Sequence, residues 1–131
     1  LASGAPGTVI FDPTYAGGIS EARNIGALAE THSVPVAAHD CVGPVSMTVN
    51  THFSINAPNV AVQEVVRAFA SDWYADLLTE LPEIRDGRVY PLEGPGLGTE
   101  LRPEVLTRAD ATRRVSSIGD RNRPEPLLVQ S

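Results

Sequence analysis

Three short apolar runs, each ending in an ionisable residue, constrain this chain more than any other feature. Thr8-Val9-Ile10-Phe11 stops at Asp12, Val34-Pro35-Val36-Ala37-Ala38 stops at His39, and Val60-Ala61-Val62-Gln63 stops at Glu64. The separations, 27 and 25 residues, each hold one strand, one helix and two loops. Parallel strands joined by right-handed helical crossovers carry all their C-terminal ends on one face. Asp12, His39 and Glu64 are therefore expected to converge at one mouth, where a β/α barrel keeps its chemistry. Two carboxylates flanking an imidazole form a proton-transfer set. Taken singly, any of the three could instead cap a helix or satisfy a loop.

The segments between the runs fit this reading. Ser20 is placed as an N-cap with Glu21 in the first turn, opening a helix over about 20–31. Its packing face is Ala22, Ile25, Gly26 and Ala29, with Leu28 beside them. The second strand is expected at about 34–38. Gly43-Pro44 then starts another helix, with proline at the first position where its missing N–H costs nothing. Val45, Thr48, Val49, His52 and Phe53 form the expected inner face, and Asn56-Ala57-Pro58-Asn59 ends the helix. The third strand is placed at about 60–63. Tyr15-Ala16-Gly17-Gly18 reads as a flexible loop, which could bring Tyr15 to a substrate.

Beyond Glu64 the pattern changes. Asp72 is positioned to cap a helix holding Tyr74, Leu77, Leu78 and Leu81. Arg85-Asp86-Gly87-Arg88 is a hairpin signal. Glu93-Gly94-Pro95-Gly96-Leu97-Gly98 is an extended loop, too irregular for a dinucleotide fingerprint. The chain divides into residues 1–66, three β/α units; 67–108, a C-terminal helix and Gly/Pro loop; and 109–131, an irregular tail. Arg113, Arg114, Arg121 and Arg123 in that tail read as solvated.

Composition narrows the chemistry. All ten basic residues are arginine, so no lysine can serve as base, Schiff-base former or phosphate-loop cation. A net charge of −6 argues against nucleic acid as a partner. No apolar run is long enough to span a membrane, and no signal peptide is evident at Leu1-Ala2-Ser3-Gly4. The single cysteine, Cys41, excludes an internal disulfide and fits a reducing compartment, so a cytoplasmic setting is expected. Next to His39 the thiol could act as a nucleophile, but the preferred reading is a small packing residue. His32 and His52 read as structural, and Trp73 and Tyr74 as core or interface. Asp12 and Glu64 alone would suit a glycosidase pair, which leaves His39 without a role.

An ordered series of motifs carries a resemblance. Gly17-Gly18-Ile19-Ser20-Glu21-Ala22-Arg23, the strand ending at His39 with Gly43-Pro44, Asn56-Ala57-Pro58-Asn59 leading to Gln63-Glu64, and Gly94-Pro95-Gly96-Leu97-Gly98 resemble the C-terminal part of the enolase superfamily. The mandelate racemase and sugar-acid dehydratase branch is the nearest in pattern, over about residues 1–108. The resemblance implies an α/β fold: strands six to eight of a TIM-like (β/α)8 barrel, with a C-terminal segment returning to a capping domain. It also implies proton abstraction alpha to a carboxylate, with the enediolate stabilised on Mg2+.

By the same resemblance Asp12 and His39 form a dyad, His39 acting as general base or acid, and Glu64 binds the substrate carboxylate or its enediolate. The family's metal ligands lie on earlier strands, so none is expected in this chain. Three units cannot close a barrel, and the lack of an initial Met suggests a piece of a longer chain. The partners expected are the N-terminal part of the same protein and a small sugar acid, with further copies in a homo-oligomer as an open option. Sugar-acid dehydratases often carry Asn-Pro-Leu after the histidine, whereas Asp40-Cys41-Val42 stands here. Dehydration, cycloisomerisation and racemisation therefore stay open, as does an inert half-barrel.

Overall fold

The computed structural model describes residues 1–112 except residues 2 and 5. The four tail arginines singled out above lie outside the described residues. Three parallel strands, β1 (Val9–Phe11), β2 (Val36–Ala38) and β3 (Val60–Gln63), form a sheet in the order β1-β2-β3. Helices α2 (Ile19–Thr31) and α3 (Pro44–Asn56) make the crossovers. Val9, Ile10 and Phe11 lie opposite Val36, Ala37 and Ala38. On the other side of β2 the register steps from Val36 opposite Val60 to Ala37 opposite Val62, so Ala61 is an extra residue in β3.

The two faces of the sheet differ. Beneath the helices, Ala22, Ala29, Val36, Ala38 and Phe53 form a buried core, edged by Val9, Phe11, Val34, Ala57 and Val60. Phe11 and Phe53 meet edge to face with ring centroids 5.4 Å apart. Gly26 makes this close approach possible, because a Cβ there would stand 3.3 Å from the Phe53 ring. On the opposite face Ile10, Ala37 and Val62 share one row. Ile10 is 66% and Val62 58% exposed. That is the face a complete barrel turns inward.

Several local expectations are corrected. Asp12, not Ser20, supplies the first cap. Its side chain accepts from the Thr14 amide and starts a short helix, α1 (Pro13–Ala16), within the expected flexible loop. Gly17, at φ +108°, ends α1 in the left-handed region, and Gly18 stands at the cap position of α2 without a side-chain bond. Ser20 is left inside the first turn of α2.

The inner face of α3 is also rotated from the expected one. It buries Ser46, Met47, Thr48, Asn50, Thr51 and Phe53 and leaves Val45 exposed. Most groups of this polar face are bonded, although Asn50 Oδ1 has no partner among the described residues. Thr48 donates to the Pro44 carbonyl at 2.8 Å and Thr51 to the Met47 carbonyl at 2.9 Å. Gln63 at the end of β3 donates to the Met47 carbonyl and the Thr51 hydroxyl.

The helix expected from Asp72 does not form. After α4 (Arg67–Ala70), only a 3-10 turn spans Trp73–Asp76, and Asp72 makes no cap bond. Pairing with a distant segment wins instead. Leu78 bridges Leu101, the Thr79 amide donates to the Glu100 carbonyl, and the Arg102 amide donates to the Leu77 carbonyl. These bonds draw residues 77–80 into an extended path that a helix could not follow. The Asp86-Gly87 hairpin forms as expected. β4 (Glu83–Arg85) and β5 (Arg88–Tyr90) pair antiparallel around two residues at φ +52° and +71°. Among the described residues no helix is long and apolar enough to cross a membrane.

Candidate active site

The ladder that builds the sheet runs one residue past each strand and fixes the backbone of the polar cluster. The His39 amide donates to the Phe11 carbonyl at 2.9 Å, and the Glu64 amide to the Ala38 carbonyl at 2.8 Å. Asp12, His39 and Glu64 therefore stand side by side at the C-terminal ends of β1, β2 and β3. Asn50 of α3 donates to the His39 carbonyl at 2.8 Å and ties the turn to the helix behind it.

Asp12 is buried, and its two oxygens do different work. Oδ1 accepts from the Thr14 amide at 2.7 Å and from the Ser46 hydroxyl at 3.4 Å. Oδ2 lies 3.3 Å from His39 Nδ1. With Nδ1–H donating to this carboxylate, the lone pair of the neutral ring is on Nε2. Nε2 faces Glu64 Oε2 at 3.6 Å. The His39 side chain is 35% and that of Glu64 53% exposed, so a small molecule can reach both.

A fourth ionisable residue belongs to this cluster. Asp40 is fully buried, and its amide donates to Glu64 Oε2 at 3.3 Å. Burial pushes the Asp40 carboxyl up from 3.8 to about 6. The Val66 backbone N–H partly opposes that rise, the charges of Asp12 and Glu64 add to it, and His39 lowers it. Tyr74, also buried, is pushed up to about 12 by burial first and then by Asp40 and Cys41. Cys41 is exposed, with Sγ 3.9 Å from His39 Nδ1. It is nearer the imidazole than a packing residue need be, though Asp12 is closer to the same nitrogen.

The structure thus brings together His39, Asp12 and Glu64 as the spacing predicts. Tyr15 lies in α1 and is 80% exposed. His52 sits away from the cluster, with Nε2 donating to the Leu97 carbonyl at 3.2 Å, a structural tie. Sequence reasoning missed Asp40, Ser46 and Asn50. Asp40 had a usable signal, since it is a second ionisable residue at the same strand end. Ser46 and Asn50 had none, because the α3 register hid them.

Parallel β/α units with a carboxylate–imidazole–carboxylate cluster at the strand ends define a segment of a TIM-like barrel. The family described as enolase C-terminal domain-like matches residues 1–105, and the chain belongs to that family. It is 33% identical to a D-galactonate dehydratase of Pectobacterium atrosepticum over 111 residues, 81% of this chain and 29% of that protein. The chain therefore spans under a third of the length of that relative.

Two solved structures are similar as well. A crystal structure of an enolase of the mandelate racemase subgroup from Agrobacterium tumefaciens, with a succinimide residue, sodium and phosphate, superposes with a TM-score of 0.75 at 49% identity, covering 81% of this chain and 29% of that one. An enolase from Pantoea ananatis, solved with bound D-gluconate and magnesium, superposes with a TM-score of 0.67 at 26% identity, covering 73% and 23%.

Proposed function

We propose that this chain carries the His–Asp dyad and the opposing glutamate of an acid-sugar dehydratase, a lyase that removes a proton alpha to a carboxylate. The observation that carries this reading is the line Asp12 Oδ2, His39 Nδ1, His39 Nε2, Glu64 Oε2, with gaps of 3.3 and 3.6 Å. Asp12 holds the ring in the tautomer whose Nε2 is free to exchange a proton, and it stabilises the imidazolium that results. Glu64, across from Nε2, is placed to hydrogen-bond the substrate carboxylate or the enediolate that forms from it. The kinship with D-galactonate dehydratases and with a gluconate-bound enolase supports a sugar acid as substrate.

In such a reaction the α-proton leaves a 2,3-dihydroxy acid, and the β-hydroxyl departs as water after taking up a proton. The resulting enol becomes a 2-keto-3-deoxy acid. His39 Nε2 is the one imidazole nitrogen of this cluster open to either transfer, as base toward the α-proton or as acid toward the leaving hydroxyl. Racemisation and cycloisomerisation share the first of these steps.

A magnesium ion of the kind this family reading calls for would supply charge stabilisation to the enediolate. The residues here do not make its site. Among the described residues no group of three or more His, Cys, Asp or Glu side chains can hold a metal. Nδ1 of His39 is also already engaged with Asp12. We place its ligands on the N-terminal part of the protein, the partner that would complete the barrel and cover the Ile10–Ala37–Val62 row. Residues 67–108 would then pack on barrel and capping domain.

The test is a screen of stereoisomeric hexonates and hexarates with the full-length protein and magnesium, reading 2-keto-3-deoxy acid. Product from at least one acid supports the dehydratase. Exchange of the α-proton without product identifies a racemase or cycloisomerase, and neither signal with any acid refutes the reading.

A further inference from the structure

The Asp40 carboxyl is the one group of the cluster that the proposed chemistry leaves unused. It follows His39 directly and is fully buried, and neither of its oxygens has a hydrogen-bond partner of good geometry among the described residues, the Val66 backbone N–H being the nearby donor that only partly offsets its burial. A carboxyl in that position costs stability unless it contributes something else. Its backbone is committed to the site, since the Asp40 amide donates to Glu64 Oε2. The carbonyl of the preceding residue, His39, is held by Asn50. A second buried polar group without a partner, the Tyr74 hydroxyl, lies near enough for the Asp40 charge to act on it.

The titratable groups facing Asp40 come from every element around it. They are Asp12 at the end of β1, His39 on its own turn, Glu64 at the end of β3 and Tyr74 on the 3-10 turn, while Cys41 acts on Tyr74. From α3 the neighbours of the cluster are the uncharged Ser46 and Asn50.

We propose that Asp40 is a positioning residue of this site: its backbone amide holds Glu64, and its buried carboxyl, with the Tyr74 hydroxyl as neighbour, sets the charge of the His39–Glu64 pair. The inference rests on reading His39 as the proton-transfer group. Three carboxyls surround one imidazole: Asp12 on its Nδ1 side, Glu64 on its Nε2 side and Asp40 on the adjoining backbone. Asp40 never touches substrate in this arrangement. When it is neutral the pair behaves as an ordinary imidazole–carboxylate couple. When it ionises, its negative charge favours the imidazolium and disfavours ionised Glu64. The burial-driven rise to about 6 puts that change within the working range of a histidine. Asparagine at this position would have no such second state.

The experiment is an NMR titration of the full-length protein, following the His39 ring and the Asp40 carboxyl carbon in wild type, Asp40→Asn and Tyr74→Phe, with α-proton exchange recorded across the same pH range. Asp40→Asn is expected to lower the His39 midpoint by more than about 0.2 units and to move the limb of the exchange profile with it. Tyr74→Phe removes the neighbouring hydroxyl, which has no hydrogen-bond partner among the described residues, and keeps the Asp40 carboxyl; the His39 curve is expected to stay coupled to the Asp40 midpoint. A purely structural role would reduce amplitude and leave the His39 midpoint in place.

The proposal is overturned if the His39 midpoint stays within about 0.2 units of wild type in Asp40→Asn. If Asp40→Asn does not fold, the wild-type His39 curve decides: a biphasic curve with an inflection at the Asp40 midpoint supports the proposal, and a single inflection overturns it. Absence of α-proton exchange in the wild type would sink the dehydratase reading, while the ring titration still decides the role of Asp40.

Discussion

Replacing Asp40 with asparagine should make the protein more stable at alkaline pH and leave it nearly unchanged in acid. The Asp40 carboxyl is pushed from 3.8 to about 6 in the folded state, chiefly by burial. A raised acid binds its proton more tightly folded than unfolded. Its contribution is therefore intact below pH 3.8 and is lost as the pH rises through about 6. At about 1.4 kcal/mol per pH unit, the full loss is about 3 kcal/mol. Asparagine has the same shape and stays neutral, so it escapes this loss, although its amide must find partners in the same buried turn. The assay is urea unfolding of both proteins at closely spaced pH values from 4 to 8. The difference between the two curves should be near zero at pH 4, climb between 4 and 6.5, and level off at about 2–3 kcal/mol. Curves that run parallel over the whole range would refute the reasoning, because the Asp40 carboxylate would then carry no burial penalty.

Other perturbations test the scaffold and the dyad. Phe53→Ala removes the ring that packs on Phe11 and Gly26 in the core; a loss of about 3–5 kcal/mol is expected by denaturant titration. Gly98→Ala forces a Cβ to within 2.7 Å of Leu92 Cβ and 2.9 Å of the Glu93 carbonyl, at a φ of +74°. That strain is expected to cost about 1–3 kcal/mol and to raise amide exchange in residues 92–101. Asp12→Asn leaves an acceptor for the Thr14 amide but removes the negative charge beside Nδ1. Turnover should fall by about 10²–10⁴-fold with little change in KM, and an unchanged kcat would exclude Asp12 as the partner that matters.

How far the sequence could be read depended on the kind of interaction involved. The β/α repeat was legible because strands buried beneath helices are continuous apolar runs. The polar residues that end those runs are placed by the ladder itself, and so Asp12, His39 and Glu64 could be named in advance. The face of α3 was not legible. Its buried residues, Ser46, Asn50 and Thr51, are polar, and they are tolerated only because Asp12, His39 and Gln63 on other elements bond to them. Such pairings are invisible to hydrophobic periodicity. The missing helix after Asp72 has a similar cause. Leu77, Leu78 and Leu81 have helical spacing, but pairing of residues 77–80 with residues 99–102 outweighs that local preference. Asp40 was visible as a second ionisable residue at the strand end, but the burial that raises its proton affinity is a property of the packed turn.

The central claim is that His39 moves the proton next to the substrate carboxylate. Its most direct test is wash-in of deuterium at the α-carbon of a processed sugar acid in D2O, for wild type and His39→Asn, with folding of the variant verified by circular dichroism. Exchange in the wild type and its loss by about 10²-fold or more in the variant is the expected result. Undiminished exchange in a folded His39→Asn protein would contradict it and assign the proton to another group.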